Sequence, residues 1–233
     1  MRGPQGAPQG RAAGRAPVEL RTRFDRFPAT IKGALVLRGA DGDPHGVRLA
    51  SAAVARIPSG SVRPIRLGDI RVDVAPARDL FVPFEASVAD LEPSWYVVRT
   101  EIEVDTMGTW TSDSSAFVVA WPRGAMRTGA VALAGRVTAG GAGEVALDRL
   151  ELRADRATLT WTGSGEVPGD RSRPLLLVDG VAHEELPEDL GERRPVRAEP
   201  GGRAVFYPVP RDAARLTVAL AGADADPVEV PLP

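Results

Sequence analysis

Cysteine is absent from this chain of 233 residues. Its absence excludes disulfides, thiolate zinc sites, iron–sulfur clusters and cysteine nucleophiles. Stability must therefore come from an ordinary hydrophobic core, and the composition, 43% hydrophobic and 26% charged, is sufficient to build one.

An excess of charge of either sign is also lacking. The chain has 29 basic and 31 acidic residues, a formal net charge of −2, and Lys32 is its one lysine. The arginines are scattered along the sequence, so the preference for arginine is better explained by codon bias than by a binding surface. Without a field of one sign, nucleic acid is not expected as a partner.

Long hydrophobic runs are missing as well. No stretch approaches the roughly 20 apolar residues of a membrane-spanning helix. The first residues, MRGPQGAPQGRAAGRAP, have no apolar run of the kind that a signal peptide needs. The sequence therefore predicts a soluble cytoplasmic protein without membrane insertion.

Residues 1–17 are predicted to form a flexible basic arm, because they have no acid and no large apolar side chain except Met1. Their charges are Arg2, Arg11 and Arg15. Such an arm could become ordered on a partner or bind a polyanion. The interpretation that we favour is a solvated tail, or a start codon placed too far upstream.

From residue 18 onward, apolar and polar residues alternate with the period of two that is typical of half-buried strands. The clearest case is EPSWYVVRTEIEVD, residues 92–105, where Arg99, Glu101 and Glu103 alternate with apolar neighbours. We interpret these three as a solvated face with cross-strand charge pairs. A catalytic pair of carboxylates, Glu101 and Glu103, is the alternative. The same alternation occurs in ATIKGALVLRG, DIRVDVA, DRLELRAD, RATLTWTG and ARLTVALAG.

The segments between these runs are rich in turn-forming residues, as in GADGDPHG, GSGEVPGDRS and GADADP. Helical turns are plausible only near SVADLEP and EELPEDLGE, and 21 prolines oppose long helices. Many short strands at close spacing predict an all-β sandwich or barrel.

A weak internal repeat divides the chain. In both halves a phenylalanine-bearing strand, a polar link and an apolar strand precede a closing strand that ends in proline, at Pro122 and Pro231. The pattern resembles two tandem immunoglobulin-like β-sandwich domains, which would span 18–124 and 128–233. The resemblance is one of architecture, and it implies no functional residue, because sandwiches have many unrelated functions.

Histidine is scarce, at two residues. His45 follows Asp41 and Asp43 in a turn that could offer ligands to a metal, but Asp, Gly and Pro are also ordinary turn residues. His183 lies in the acidic segment VAHEELPEDLGE, where neighbouring carboxylates should favour its charged form. No cofactor motif, nucleophile elbow or metal signature is present. Catalytic, cofactor-binding and metal residues are therefore not assigned.

Four of the twelve aromatic residues are tryptophan. Trp121 and Trp161 lie in apolar strands and are predicted to be core anchors. Trp110, in DTMGTWTSDSS, is assigned to a polar loop and is the best candidate for an exposed aromatic that contacts a partner or ligand. The alternative is that Trp110 folds back over its own sandwich.

These features favour a non-catalytic β-sandwich protein that binds another protein or assembles with itself, as a structural or accessory component of a larger assembly. The candidate contacts are Arg2, Arg11, Arg15 and Trp110, together with edge strands that could accept a partner strand. A carbohydrate- or other ligand-binding module that uses Trp110 is one alternative. A hydrolase with loop-borne carboxylates is another.

Overall fold

The computed structural model describes residues 18–40, 42–58, 60, 62–105, 107–133, 136–139, 143–164, 174–187, 201–220 and 227–233. Within these ranges all regular structure is β-strand, so the predicted all-β class is confirmed. The segment SVADLEP contains an isolated turn, with a hydrogen bond from the Leu91 amide to the Val88 carbonyl, instead of the expected helical turn. The predicted arm, 1–17, lies outside the described residues.

Nineteen strands are described, nine of them before residue 123. Those nine are β1 (Val18–Arg26), β2 (Thr30–Gly39), β3 (His45–Arg56), β4 (Val62–Pro64), β5 (Ile70–Val74), β6 (Asp79–Ser87), β7 (Ser94–Val104), β8 (Gly108–Asp113) and β9 (Phe117–Val119). They form two sheets, one ordered β1-β2-β6 and one ordered β4-β3-β7-β8, in which β5 also pairs with β3 and β9 with β7.

The remaining strands also form two sheets. They are β10 (Gly129–Ala132), β11 (Arg136–Ala139), β12 (Gly143–Leu152), β13 (Ala157–Ser164), β14 (Pro174–Val178), β15 (Val181–Ala182), β16 (Glu185–Leu186), β17 (Gly201–Phe206), β18 (Leu216–Leu220) and β19 (Val228–Val230). One sheet is ordered β10-β12-β13-β17-β16, with β11 also on β12, and the other β15-β14-β18-β19. All described pairings in these two sheets are antiparallel.

By their internal contacts the residues divide into two compact units. The first unit contains the described parts of Met1–Ala53, Pro64–Ser87 and Arg99–Ser114, and the second those of Val54–Arg63, Val88–Val98 and Ser115–Pro233. Strands β3 and β7 each contribute residues to both units. The domain bounds predicted at 18–124 and 128–233 stay a prediction.

The main core of the second unit lies between two sheets. Leu159 on β13 and Phe206 on β17 belong to the same buried cluster as Leu176 on β14 and Leu216 on β18. All four are fully buried. Two antiparallel sheets that share one core are compatible with a β-sandwich.

One position in this unit departs from the predicted alternation. Thr217 on β18 was expected on a solvated face, yet it is only 5% exposed. It sits between Leu177 of β14 and Glu229 of β19 in the sheet register, so neighbouring strands flank it on both sides. A central strand is covered more completely than its own sequence indicates.

A second cluster of the same unit joins segments that are far apart in sequence. Ala55, Ile57, Trp95 and Val97 pack with Leu186, Val205 and Tyr207. Trp121 packs against this cluster and Trp161 against the main core, both half-buried. The two tryptophans predicted as core anchors therefore do contact the cores.

A chain of hydrogen bonds runs through this second cluster. The Arg56 Nε donates to the Ser94 hydroxyl at 2.9 Å, and that hydroxyl lies 2.8 Å from the Tyr207 hydroxyl. Tyr207 in turn donates to the carbonyl of Ile57. Ser94 is completely buried, so these bonds offset the cost of placing its hydroxyl in the core.

Candidate functional site

The outer face of the sheet that contains β7 carries an open groove of about 880 Å³ in the first unit. It lies across β3, β5, β7 and β8, whose outward side chains form its floor. Its lining residues are Gly46, Val47, Arg48, Arg71, Val72, Asp73, Glu103, Val104, Asp105, Gly108 and Thr109. A second hollow of about 510 Å³ on β3, β7 and β8 is lined by Ser51, Arg99, Glu101, Thr111 and Asp113. The two hollows together are called the charged groove below.

The groove forms because buried and solvated side chains alternate along β7. Thr100 and Ile102 are fully buried on one side of the strand. On the other side, Arg99 is exposed and Glu101 and Glu103 are half-exposed. The predicted solvated face of β7 is therefore confirmed.

Opposite charges pair across strands in the groove. The Arg48 Nη1 on β3 donates to a carboxylate oxygen of Glu103 on β7 at 2.8 Å. This hydrogen bond, together with the attraction of the Glu103 charge, raises the pKa of the Arg48 guanidinium. Asp69 lies 3.7 Å from both Arg48 and Arg71. Arg48 thus lies beside two carboxylates, and Asp69 lies beside two guanidinium groups.

The second hollow repeats this arrangement. Arg99 on β7 and Asp113 on β8 are register partners, and the guanidinium makes two parallel hydrogen bonds to the carboxylate, at 2.8 and 2.7 Å. The hydrogen bond to Asp113 raises the pKa of Arg99. The Ser51 hydroxyl donates to Glu101 at 3.2 Å. The cross-strand charge pairing that the sequence predicts is confirmed for Arg99 and Glu103, whereas the partner of Glu101 is a serine hydroxyl.

Two glycines shape the end of the groove. A Cβ at Gly46 would lie 2.0 Å from a carboxylate oxygen of Asp105, so only glycine lets that carboxylate lie against β3. The Asp105 amide also donates to the Gly46 carbonyl at 2.9 Å. Gly108 has a φ of +89°, which starts β8 after the turn and is strained for any other residue.

The arrangement offers donors and acceptors in a row. From Arg99 to Asp105 the outward positions of β7 span about 20 Å at roughly 3.3 Å per residue. Two acidic positions on this row have a partner on β3: the Ser51 hydroxyl for Glu101 and the Arg48 guanidinium for Glu103. Such a surface suits an extended polar chain better than a compact apolar ligand.

Trp110 lies at the centre of β8, so its assignment to a polar loop is wrong. It is the register partner of Ile102 and lies on the side of the sheet opposite the charged groove. The side chain is half-buried, and its indole nitrogen has no hydrogen-bond partner among the described residues. The alternation of Thr109, Trp110 and Thr111 is the sequence signal that could have revealed the strand.

The other predicted contacts and ligands are dispersed. Arg2, Arg11 and Arg15 lie outside the described residues, as does Asp41. His45 begins β3 and pairs with Val74. In the part of the chain that the structure describes, no three His, Asp or Glu side chains converge as a metal site would require.

The charged form expected for His183 is wrong. Burial lowers the pKa of this histidine, and the opposing effects of its hydrogen bonds and of Glu184 are smaller. Its Nε2 lies 3.1 Å from the Tyr207 carbonyl oxygen and 3.3 Å from that of Pro208, which assigns the proton to Nε2. The acidic sequence around His183 gave no sign that the ring would be half-buried against main chain.

The charged groove combines residues that sequence reasoning found with residues that it missed. Arg99, Glu101 and Glu103 were singled out by their alternation. Arg48 and Asp113 were not, because they come from other strands and their proximity depends on the register.

No helix within the described residues is long and apolar enough to cross a membrane.

Comparison with known proteins gives little. No protein-family model matches the chain, and no curated protein matches it. The chain is similar to a crystal structure described as a protein of unknown function from Porphyromonas gingivalis W83, with 14% identity and a TM-score of 0.30. The alignment covers 92% of this chain and 98% of that one. A similarity this low supports no statement about function.

Proposed function

We propose that the protein is a non-catalytic β-sandwich protein whose charged groove binds an extended segment of another protein, as a structural or accessory component of a larger assembly. The observation that supports this proposal is the row of paired opposite charges across β3, β7 and β8. An extended segment matches the length and shape of the row, and its own charged side chains can meet both signs of charge.

The energetics of the pairs favour exchange of partners. In the pair of Arg99 and Asp113 both side chains are 40–50% exposed. An exposed pair stabilises a fold by less than about 1 kcal/mol. A ligand carrying both charge signs can therefore replace an internal pair at low cost while keeping every guanidinium and carboxylate bonded. Such a groove confers charge specificity more than affinity.

The finer architecture is part of the proposal. Among the described strands, each sheet takes its members from only one of the ranges 18–124 and 128–233. This supports two tandem immunoglobulin-like sandwiches. Residues 1–17 are proposed to add a second contact, through Arg2, Arg11 and Arg15. Deleting the arm should leave the melting temperature nearly unchanged and weaken partner association, more strongly at low salt.

Site-specific crosslinking tests the groove. A photoreactive phenylalanine at position 111, opposite Glu101 in the register, should capture a defined protein from native cell extract. The same group at position 85 is the control, because Glu85 is exposed on β6 in another sheet. Capture counts as support only if it is specific to position 111 and depends on the groove charges.

A charge swap provides that second condition. Exchanging the pair, as Arg99→Asp with Asp113→Arg, keeps an internal pair but reverses the order of charges that a partner meets. The swap should abolish capture while the melting temperature stays within a few degrees. Glu85→Arg, which breaks the exposed pair with Lys32, is the control. Equal capture by the swapped and unaltered proteins would contradict the proposal.

The two alternatives stay predictions. A ligand site built on Trp110 predicts saturable sugar binding that is lost in Trp110→Ala. A hydrolase predicts turnover that is lost when loop-borne carboxylates are replaced.

A further inference from the structure

Among the residues that the structure describes, the charged side chains lining one pocket of the second unit are all arginines. Its volume is about 570 Å³. The lining residues are Trp121, Pro122, Arg123, Gly124, Met126, Arg127, Thr128, Ala154, Arg211 and Pro233. Three guanidinium groups with no acidic side chain among the described lining residues are a local departure in a chain of nearly balanced charge. The charged groove, by contrast, mixes both signs.

Main-chain hydrogen bonds bring these arginines together. The segment between β9 and β10 runs antiparallel to the residues after β17. The Arg127 amide donates to the Val209 carbonyl at 2.8 Å, and the Arg211 amide donates to the Ala125 carbonyl at 3.0 Å. Arg123 lies in the same segment, within a turn closed by a bond from the Ala125 amide to Pro122. The pocket wall is therefore held by backbone contacts, independently of any ligand.

Arg127 is the structural member of the three. Its guanidinium donates to the main-chain oxygens of Arg211 at 2.6 Å, Ala213 at 3.0 Å and Pro233 at 3.3 Å. Bonds to neutral carbonyls fix the side chain but do not cancel its charge.

Arg123 and Arg211 are the two pocket arginines whose guanidinium groups can bind a ligand. Both are exposed, and neither has an ion-pair or hydrogen-bond partner for its guanidinium among the residues that the structure describes. The Arg211 Nη1 lies 3.7 Å from the point where a Cβ added to Gly124 would be, so it borders the turn that carries Arg123. In the charged groove, Arg48 and Arg99 are both engaged by carboxylates.

The pocket also has an aromatic wall. Trp121 is half-buried and meets the ring of Tyr207 edge-on, with centroids 6.1 Å apart and planes at 90°. This contact fixes the indole within the second cluster. A rigid indole beside unpaired guanidinium groups is a combination that occurs at binding hot spots.

We propose that this pocket binds a small molecule in which an oxyanion group, carboxylate or phosphate, is attached to a flat apolar body. Arg123 and Arg211 bind the oxyanion, because the planar guanidinium matches both groups bidentately. Trp121 contacts the apolar body. The volume falls within the roughly 300–1,000 Å³ of small-molecule sites. This site lies in a different unit from the charged groove and does not depend on its proposed function.

Titration of the full chain with three probes at constant ionic strength tests the proposal. Phenyl phosphate and benzoate carry the aryl body with one or the other oxyanion, and inorganic phosphate has no aryl body. Calorimetry gives affinity and stoichiometry. The ¹⁵N-indole signals of the four tryptophans report the site, and Trp121 should shift while Trp110, which lies in the first unit, should not.

The matched variants are Arg123→Gln, Arg211→Gln and, as control, Arg149→Gln on β12. All three arginines are exposed, and Arg149 lies outside the pocket. We expect one site per chain, weakened at least about tenfold in each pocket variant and unchanged in the control. Tighter binding of phenyl phosphate would identify phosphate as the preferred oxyanion, and tighter binding of benzoate would identify carboxylate. Equal affinity in all variants, or no saturable binding of either aryl probe, would overturn the site. Equal binding of inorganic phosphate and phenyl phosphate would overturn the role of Trp121.

Discussion

Two stretches of β7 share one side of the strand and have opposite environments. Trp95 and Val97 are buried in a cluster with residues from β16 and β17. Arg99, Glu101 and Glu103 continue on the same side, yet they are solvated. Arg99 and Glu103 pair with charges on β8 and β3, and Glu101 accepts a hydrogen bond from Ser51. Strand alternation therefore separates two faces, but it does not reveal where along a face another surface covers it.

Residue type distinguishes the two stretches once the structure is known. In the covered stretch both sides of the strand are apolar or small, and every residue from Ser94 to Val98 is buried. In the charged stretch the residues on one side of the strand are charged, and those on the other side are still buried. A strand covered on both faces reads as a continuous apolar run, and SWYVV is such a run. Mutations on the two stretches should therefore differ strongly in cost.

The largest effect is expected for Trp95→Ala. Trp95 is 5% exposed, and its indole nitrogen donates to the Asp155 carbonyl at 2.7 Å. Its removal leaves a large cavity and an unbonded carbonyl, so the free energy of unfolding should fall by about 3–5 kcal/mol in urea denaturation. Arg99→Ala, four positions further on the same side, should cost less than about 1 kcal/mol. Equal costs would contradict the comparison.

Tyr207→Phe should have an intermediate effect. It removes the hydroxyl that bonds to Ile57 and Ser94, at a cost of about 1–3 kcal/mol. Ser94→Ala should cost a similar amount, and the double variant less than the sum, because both changes break one network. Additive costs in this double-mutant cycle would show that the two hydroxyls are not coupled.

Small effects are expected in the charged stretch. Glu101→Ala and Glu103→Ala should each change the free energy of unfolding by less than about 1 kcal/mol. Ile102→Ala lies between them on the buried side and should cost roughly 2–5 kcal/mol, because it empties core volume. Chemical denaturation of the three variants side by side measures the difference. A glutamate variant as unstable as the isoleucine variant would refute the assignment of faces.

The smallest effect concerns pH. Burial lowers the pKa of His183 below its value in the unfolded chain, near 6.5. The unfolded state then binds more protons as pH falls through 6.5, so acidification should reduce the free energy of unfolding. The effect should be absent in His183→Gln. Urea denaturation at pH 7.5 and 5.5 avoids carboxylate titration. Stabilisation on acidification would mean that the histidine is favoured in its charged form.

The sequence predicted the features that depend on residues close together along the chain, namely the faces of strands and the all-β class. Alternation in TEIEVD correctly assigned Ile102 and Val104 to the buried side. Turn-forming residues and prolines correctly indicated an all-β chain. Both signals are local, because the pleat of a strand and the preferences of a turn are set within a few residues.

The errors and omissions depend on residues distant in sequence. His183 becomes half-buried because main chain at Tyr207 and Pro208 lies against its ring. The pairing of Arg48 with Glu103 depends on the arrangement of β3 beside β7. The pocket arginines converge through an isolated bridge between Met126 and Pro210. The assignment of Trp110 to a loop was an error of a different kind. Its alternation with threonines was visible in the sequence, but the polar residues around it were interpreted as a loop.

The second cluster also has a consequence for synthesis on the ribosome. Trp95 and Val97 leave the exit tunnel about 110 residues before Val205 and Tyr207, against which they pack. At roughly 5–20 residues per second, this interval is about 5–20 s. During that time the indole and its apolar neighbours lack the cover that Val205 and Tyr207 provide. The nascent chain is therefore expected to need a chaperone at this segment, and ribosome profiling of chaperone-bound nascent chains should show engagement that ends once residue 207 has emerged.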